Sequence, residues 1–434
     1  MELVQELSLL NTYPLRHFRW PNGFQAILVH NPIAPVAAYL SHYTVGSALE
    51  HDDQRGLAHF FEHMMFRETA RLRDGDFDRI ISELGGVGLN AFTTYDTTAY
   101  HVNVPVWGLE RLIEMEADRM VNLRLSPDLI EKERGAVLGE MHMYADMPSE
   151  QHWNALMAAA FPAHPYRHPI IGYPEQVAAF DDESFRRFYT EHYAPNRALV
   201  VVAGGYDEAA LLATLDRCYG PLPRGHERPA SRPPDAPPAA SRTLEVFHDK
   251  ITSDYLSMAT RTPGLHHPDQ AALNLLSSLL CNGQSSPLHR AIVLEGIGTG
   301  VYTTVMDAEY MLSSPGLFLI DVTLQHGVPA ETAVEAVDVE LRTLLRDGIA
   351  GGDLERAMNQ FRLGTYASMR TNMSLARQVG GYMVAGEDPL FIERMLSAVQ
   401  QVTREQLAAA LETYLVAAPR LTVIQRPQQP ERPS

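Results

Sequence analysis

The sequence predicts an α+β protein of two homologous halves, each a mixed or antiparallel sheet packed by helices. Three observations predict it. Strand-length apolar segments are mixed with helical pairs, without the strict strand–helix–strand rhythm of a doubly wound parallel sheet. A proline-rich stretch divides the 434 residues near their middle. The segments on either side of it read as diverged copies of one unit.

In the first half, Phe24–Val29, Val36–Tyr43, Ala99–Val104 and Ala198–Val202 alternate or run apolar at strand length. Leu57–Phe66, Phe77–Leu84, Leu109–Val121 and Asp128–Tyr144 carry helical spacing. Ser126 and Pro127 ahead of Asp128 supply a capping hydroxyl, a first-turn proline and an early acid, which together start a helix. From Pro221 to Ala240 there are seven prolines and almost no apolar side chains. Such a stretch cannot hold a core and reads as a semi-rigid linker. The expected boundaries are therefore 1–220 for the first half, 221–242 for the linker and 243–434 for the second half. Aligning Asp53-Gln54 with Asp269-Gln270 sets Leu275, Ser278 and Leu279 opposite His59, Glu62 and His63. Aligning Glu133-Arg134 with Glu355-Arg356 sets Arg362 opposite Glu140. The second copy keeps the scaffold and loses these ionisable groups.

Composition narrows the class. A chain of 434 residues exceeds one ordinary core. With 45% hydrophobic and 20% charged residues it has the profile of a globular protein. No apolar run approaches the roughly 18 to 20 residues of a membrane helix, so no membrane span is expected. The N-terminal segment lacks a basic start followed by an apolar block, so the expected compartment is the cytoplasm, or the periplasm if a signal segment has been removed. Two cysteines, Cys218 and Cys281, make neither a disulfide framework nor a thiolate metal cage. A net charge of −18 argues against nucleic acid and anionic membrane as partners.

The chemistry is concentrated in Gly56–Phe66. On a helix, His59, Glu62 and His63 share one face, and two imidazoles one turn apart can grip a zinc ion. Glu62 would reach a water on such a metal instead of the metal itself, as a general base must. Leu57, Phe60, Phe61, Met64 and Met65 on the opposite face would anchor the helix in the core. Two solvated histidines on a surface helix would read the same way. A third ligand could come from the helix Asp128–Tyr144, where Glu133 and Glu140 lie two turns apart on one face with Val137 between them. A carboxylate from there would close a two-histidine, one-glutamate site with its fourth position open. The bland alternative for Glu131, Glu133 and Glu140 is a solvated helix face.

These residues resemble the pitrilysin and mitochondrial processing peptidase family, whose signature is HxxEH followed by a distant glutamate. Seventy-six residues, Met64 to Gly139, separate the motif from Glu140, which is that family's spacing. VGSALEHDDQRGLAHFFEHMMF, the block from Gly85-Gly86 through Asn90-Ala91-Phe92-Thr93 to Tyr100, HPYRHPIIG (His164–Gly172) and YAPNRALVVVAG (Tyr193–Gly204) are similar to its first-half landmarks. The resemblance implies a zinc metalloendopeptidase with one Zn²⁺ per chain, held by His59, His63 and Glu140. It implies that Glu62 is the general base and Glu133 an accessory acid. Asn90, Ala91 and Phe92 fall where the family exposes a strand edge to pair with substrate backbone. The implied architecture is a clamshell closing around an extended, unfolded peptide, with each zinc ligand braced by an outer partner.

One departure stands against this match. In self-sufficient members the second half supplies an arginine and, seven residues later, a tyrosine, which help bind substrate and stabilise the oxyanion. Here the block from Ser285 places Val293 and Gly300 at those positions, with Arg290 and Tyr302 nearby at the wrong spacing. The resemblance therefore implies a homologous partner subunit, in a heterodimer or homodimer. A non-cleaving, peptide-binding scaffold subunit is the alternative.

Overall fold

Two sheets carry the fold of the computed structural model, which describes residues 1–227, 235–306, 316–386 and 388–428. Residues 228–234 of the proline-rich linker lie outside the described residues. The first sheet comprises β1 (Glu2–Leu9), β2 (Tyr13–Arg19), β3 (Gln25–His30), β4 (Val36–Tyr43), β5 (Val87–Thr93), β6 (Thr98–Pro105) and β7 (Ala198–Gly204), in the order β1-β2-β3-β7-β4-β6-β5. Its one parallel pair is β3 with β7. The second sheet comprises β8 (Arg242–His248), β9 (Tyr255–Arg261), β10 (Gly298–Val305), β11 (Leu317–Leu324) and β12 (Arg420–Pro427), in the order β10-β11-β9-β12-β8, with β12 and β8 parallel.

Taken from β8, the second sheet runs β8-β12-β9-β11-β10 and repeats the first sheet's β3-β7-β4-β6-β5, down to the single parallel pair. The hairpin β1–β2 is the addition. The fold is thus the α+β repeat expected, with each sheet packed by helices.

Burial follows strand position. β7, ALVVVAG, is buried along its whole length because both faces of a central strand are covered, so its sequence runs apolar without alternation. β5, at the sheet's edge, is mostly exposed or half-buried. Register sorts the side chains of this end into two faces. Ser41, Tyr100 and Ala91 share one face with Tyr43, Thr98 and Thr93. There the Tyr100 hydroxyl donates to the carbonyl of Phe61 on the helix Leu57–Met64. His42, Ala99 and Phe92 share the other face with His101 and Asn90. That face is covered by the helix Asn372–Gly386, whose Gly380 sits so close that a Cβ would stand 2.5 Å from Nε2 of His42.

The compact units do not coincide with boundaries at 1–220 and 243–434. One unit is Met1–Met143, His168–Arg232 and Met369–Glu393; the other is Tyr144–Arg167, Pro233–Ser368 and Arg394–Ser434. Each half lends a helix to the other half's sheet. The helix Pro148–Ala160 joins the second sheet, where Gln425 donates to the carbonyl of Pro148 at 2.8 Å and Nε2 of His152 lies 2.8 Å from Oγ of Ser257. Asn372–Gly386 makes the reciprocal move. An amphipathic helix advertises an apolar face but not which sheet will receive it. No helix among the described residues is long and apolar enough to cross a membrane.

Candidate metal centre

The helix Leu57–Met64 is anchored where its sequence implies. Leu57, Phe60, Phe61, Met64 and Met65 are fully buried. Phe60 meets the edge of Phe185 at 4.7 Å and Phe61 stacks on Phe188 at 5.0 Å. At the helix start, buried Glu50 accepts hydrogen bonds from the amides of Gly56 (3.0 Å) and Ala58 (2.6 Å), meeting donors that a helix N-terminus leaves unpaired. Burial pushes the Glu50 carboxyl up to about 8, against the pull of those amides. Gly56 has a left-handed φ of 101° and abuts Ile171, so only glycine fits the turn into the helix.

With the helix fixed, His59 and His63 project together toward Glu140 on the helix Pro127–Ala145. Nε2 of His59 lies 3.7 Å from Oε2 of Glu140, and Nε2 of His63 lies 3.3 Å from the same oxygen. One donor atom from each of the three residues lies within 4.8 Å of the others. Ligands about 2.05 Å from a tetrahedral zinc stand about 3.4 Å apart. The two histidine–glutamate separations, 3.7 and 3.3 Å, lie near that edge length, and the donor set of two imidazoles and a carboxylate fits a zinc ion.

Glu133, one turn-pair earlier on the same helix, is 1% exposed. Its Oε2 is 3.4 Å from Nδ1 of His63, and its Oε1 pairs with Nη2 of Arg67 at 2.5 Å. His63 therefore has an outer partner. His59 does not: its Nδ1 is buried with no hydrogen-bond partner among the described residues, contrary to the expectation that both histidines would be braced. Electrostatics separate the two rings further. Burial, then the neighbouring His63, pushes His59 down to about 4. For His63 burial also opposes the charge, but Glu133 and Glu140 outweigh it and hold the ring at about 9. Without metal, a proton on His63 supplies the positive charge that the carboxylates demand.

Glu62 stays out of this triad of donors and accepts a hydrogen bond from Oγ1 of Thr93 at 2.6 Å. Burial raises its pKa, with the Thr93 hydroxyl and His63 pulling the other way. Asn90, Ala91 and Phe92 lie on the edge strand β5, which ends at Thr93. Oδ1 of Asn90 takes the amide of Ala91 at 2.9 Å, a local contact. Thr93 and Arg67 were not foreseen from sequence. Thr93 follows Phe92 in the same block, and Arg67 lies one turn beyond His63, but only the tertiary fold shows what each touches.

In the second unit, Val293 lies in the helical turn His289–Leu294 and Gly300 on β10. Arg290 faces Glu340 at 3.9 Å. The Tyr302 ring folds over Gly300, 3.2 Å from where a Cβ would stand.

A histidine-rich helix answered by a glutamate from a distant helix, beside the edge of a largely antiparallel sheet, defines a metallopeptidase-type centre with the HxxEH order. The chain belongs to peptidase family M16, the pitrilysin or insulinase family: residues 26–173 match the model described as Insulinase (Peptidase family M16), and residues 179–361 match the Peptidase M16 inactive domain. It is 28% identical over 391 residues to an uncharacterized zinc protease of Mycobacterium leprae, covering 90% of this chain and 86% of that one. It is 25% identical to a zinc protease of Helicobacter pylori, over 80% of this chain and 78% of that one. It is 28% identical to the mitochondrial-processing peptidase subunit beta of Blastocladiella emersonii, over 50% of this chain and 47% of that one. Among solved structures, a protease from Helicobacter pylori superposes with a TM-score of 0.87 at 23% identity, covering 95% of this chain and 99% of that one.

Proposed function

We propose that the chain is a zinc-dependent endopeptidase subunit that hydrolyses unfolded peptides, with His59, His63 and Glu140 as the metal ligands and Glu62 as the general base. The observation that carries this reading is the convergence of three donor atoms at zinc-ligand spacing, with Glu62 beside them and hydrogen-bonded to Thr93. Bound zinc would supply a Lewis acid for the scissile carbonyl and acidify a water. Thr93 holds the Glu62 carboxyl in place, and burial raises its pKa toward the working range of a base that accepts a proton from water and returns it to the leaving amine. Glu133 steadies His63, and the outer edge of β5 is open to an extended peptide at Asn90, Ala91 and Phe92, once the Ala91 amide exchanges the Asn90 side chain for a peptide carbonyl.

The same reading makes the isolated chain a weak catalyst. Val293 and Gly300 cannot donate side-chain hydrogen bonds to an oxyanion, and losing one such donor costs about 10² to 10³ in rate. A homologous subunit that carries the arginine and tyrosine would complete the site. Peptide cleavage by the purified chain, then with such a subunit titrated in, tests this. A rise of about 10² or more is expected. Full activity in the isolated monomer would contradict the partner requirement and direct attention to Tyr302. The second reading, a peptide-holding subunit that does not cut, is supported only by the name of the domain matched at 179–361, which lacks the ligands. The presence of Glu62 speaks against it.

A further inference from the structure

The face of the first sheet turned away from the histidine helix carries a cation that the hydrolytic reading leaves unused. Arg377 projects from the helix Asn372–Gly386. Its Nη2 is 2.6 Å from Nε2 of His101 on β6, and its Cζ stands 5.1 Å from the ring centroid of Phe92 on β5. His101 does not neutralise it: burial, then the charge of Arg377 itself, pushes the imidazole down to about 4, so the neutral ring accepts the guanidinium hydrogen bond. Among the described residues no carboxylate pairs with Arg377. Arg67, Arg119, Arg217 and Arg426 each meet one. The side chain is exposed, in a chain whose net charge is −18.

Strand geometry connects this cation to the docking edge. Phe92 and Asn90 share the Arg377 face with His42 and His101, whereas Ala91 and Thr93 share the opposite face, where Thr93 meets Glu62. A peptide paired along β5 would present its side chains alternately to the two faces. One set points toward the metal centre. The other set points toward Phe92 and Arg377.

We infer that Arg377 is a specificity-determining residue that favours aspartate or glutamate at the peptide positions pointing away from the metal. The inference rests on the peptidase reading above, because it needs β5 to be the docking edge. A guanidinium stacked on an aromatic ring presents its remaining N–H groups in a fixed fork suited to a carboxylate. Aspartate and asparagine at those positions differ by charge at nearly constant size, and lysine reverses the charge. A free C-terminal carboxylate offers the same chemistry, so the probe peptides must separate the two.

Short fluorescent peptides with acetylated and amidated ends, carrying Asp, Asn or Lys at successive positions, are titrated into the zinc-loaded Glu62→Gln chain and followed by anisotropy. Cleavage of the same peptides by the native chain is measured in parallel. Asp should bind about three- to tenfold tighter than Asn, with a two-residue period along the peptide. In Arg377→Glu the preference should turn to Lys, and in Arg377→Lys a reduced preference for Asp should remain. Equal binding of Asp and Asn peptides, a preference that survives in Arg377→Glu, or one that appears only when the C-terminus is left free would overturn the assignment. Those results leave the peptidase reading standing so long as peptides are bound and cut. If no peptide is bound or cut by any form, both readings fall together.

Discussion

Glu133→Gln removes one charge from the metal centre at almost constant volume. The native carboxylate is 1% exposed and holds two groups at once, Arg67 at 2.5 Å and Nδ1 of His63 at 3.4 Å. The amide can still face His63 but no longer favours its donor tautomer through charge, so His63 becomes a poorer metal ligand. Arg67 is left with Asp74 at 3.1 Å, a half-exposed partner, and its surplus charge opposes a dication. Loss of such an outer partner weakens metal binding about 10- to 100-fold, or about 1.4 to 2.7 kcal/mol. Because Asp74 keeps part of the neutralisation, about 30-fold is expected here. Chelator competition at pH 8 on the native chain, Glu133→Gln, Arg67→Met and the double variant measures the affinities. If the exposed charge of Arg67 contributes, the double variant should bind zinc more tightly than Glu133→Gln alone. A zinc Kd in Glu133→Gln within about twofold of native would refute an accessory role for Glu133 in holding the metal. A double variant no better than the single one would refute the charge argument.

Zinc uptake should release protons in a pH-dependent way. His59 is already neutral at pH 7, with a pKa near 4, whereas His63, at about 9, carries a proton that must leave before its Nε2 can bind. Apparent affinity should therefore rise about tenfold per pH unit between pH 6 and 9 and then flatten. Calorimetry in buffers of different ionisation enthalpy should count about one proton lost from the ligands at pH 7; a flat profile over that range would contradict it. Two glycine substitutions should act in opposite directions on thermal stability. Gly56→Ala meets Ile171 at 2.4 Å in a left-handed conformation and should lose about 1–3 kcal/mol, with zinc retention falling alongside, while Gly135→Ala, in an open helix interior, should gain up to about 1 kcal/mol.

The convergence of His59, His63 and Glu140 was legible because helical geometry ties i and i+4 to one face, and because 76 intervening residues, the spacing of the resembled family, pointed to one glutamate among several. Strands β3, β4, β6 and β7 and the helices ending at Met64, Glu83, Asn122 and Ala145 fall close to their expected ranges, since each has a strong apolar period and a clear stop. No strand is expected from sequence in the first 19 residues. They form the hairpin β1–β2, whose outer strand, ELVQELSL, is mostly exposed and lacks a strict alternation of apolar and polar residues. Thr93 and Arg67 escaped because their roles depend on which side chain a neighbouring element brings to them. The exchange of Pro148–Ala160 and Asn372–Gly386 between sheets escaped for the same reason at a larger scale. Arg377 illustrates this most sharply: in sequence it is one arginine in an ordinary helix, and its place beside Phe92 arises only because that helix crosses to the other half's sheet.

Zinc content and peptide hydrolysis measured side by side in the native chain and in Glu62→Gln bear most directly on the proposed chemistry. The amide preserves the size of the side chain and can still meet Thr93, while the three donor atoms of His59, His63 and Glu140 are untouched. One zinc per chain should be retained in both forms, and hydrolysis should fall by about 10² or more in the variant. Unchanged hydrolysis with zinc still bound would show that Glu62 is not the base and would contradict the mechanism.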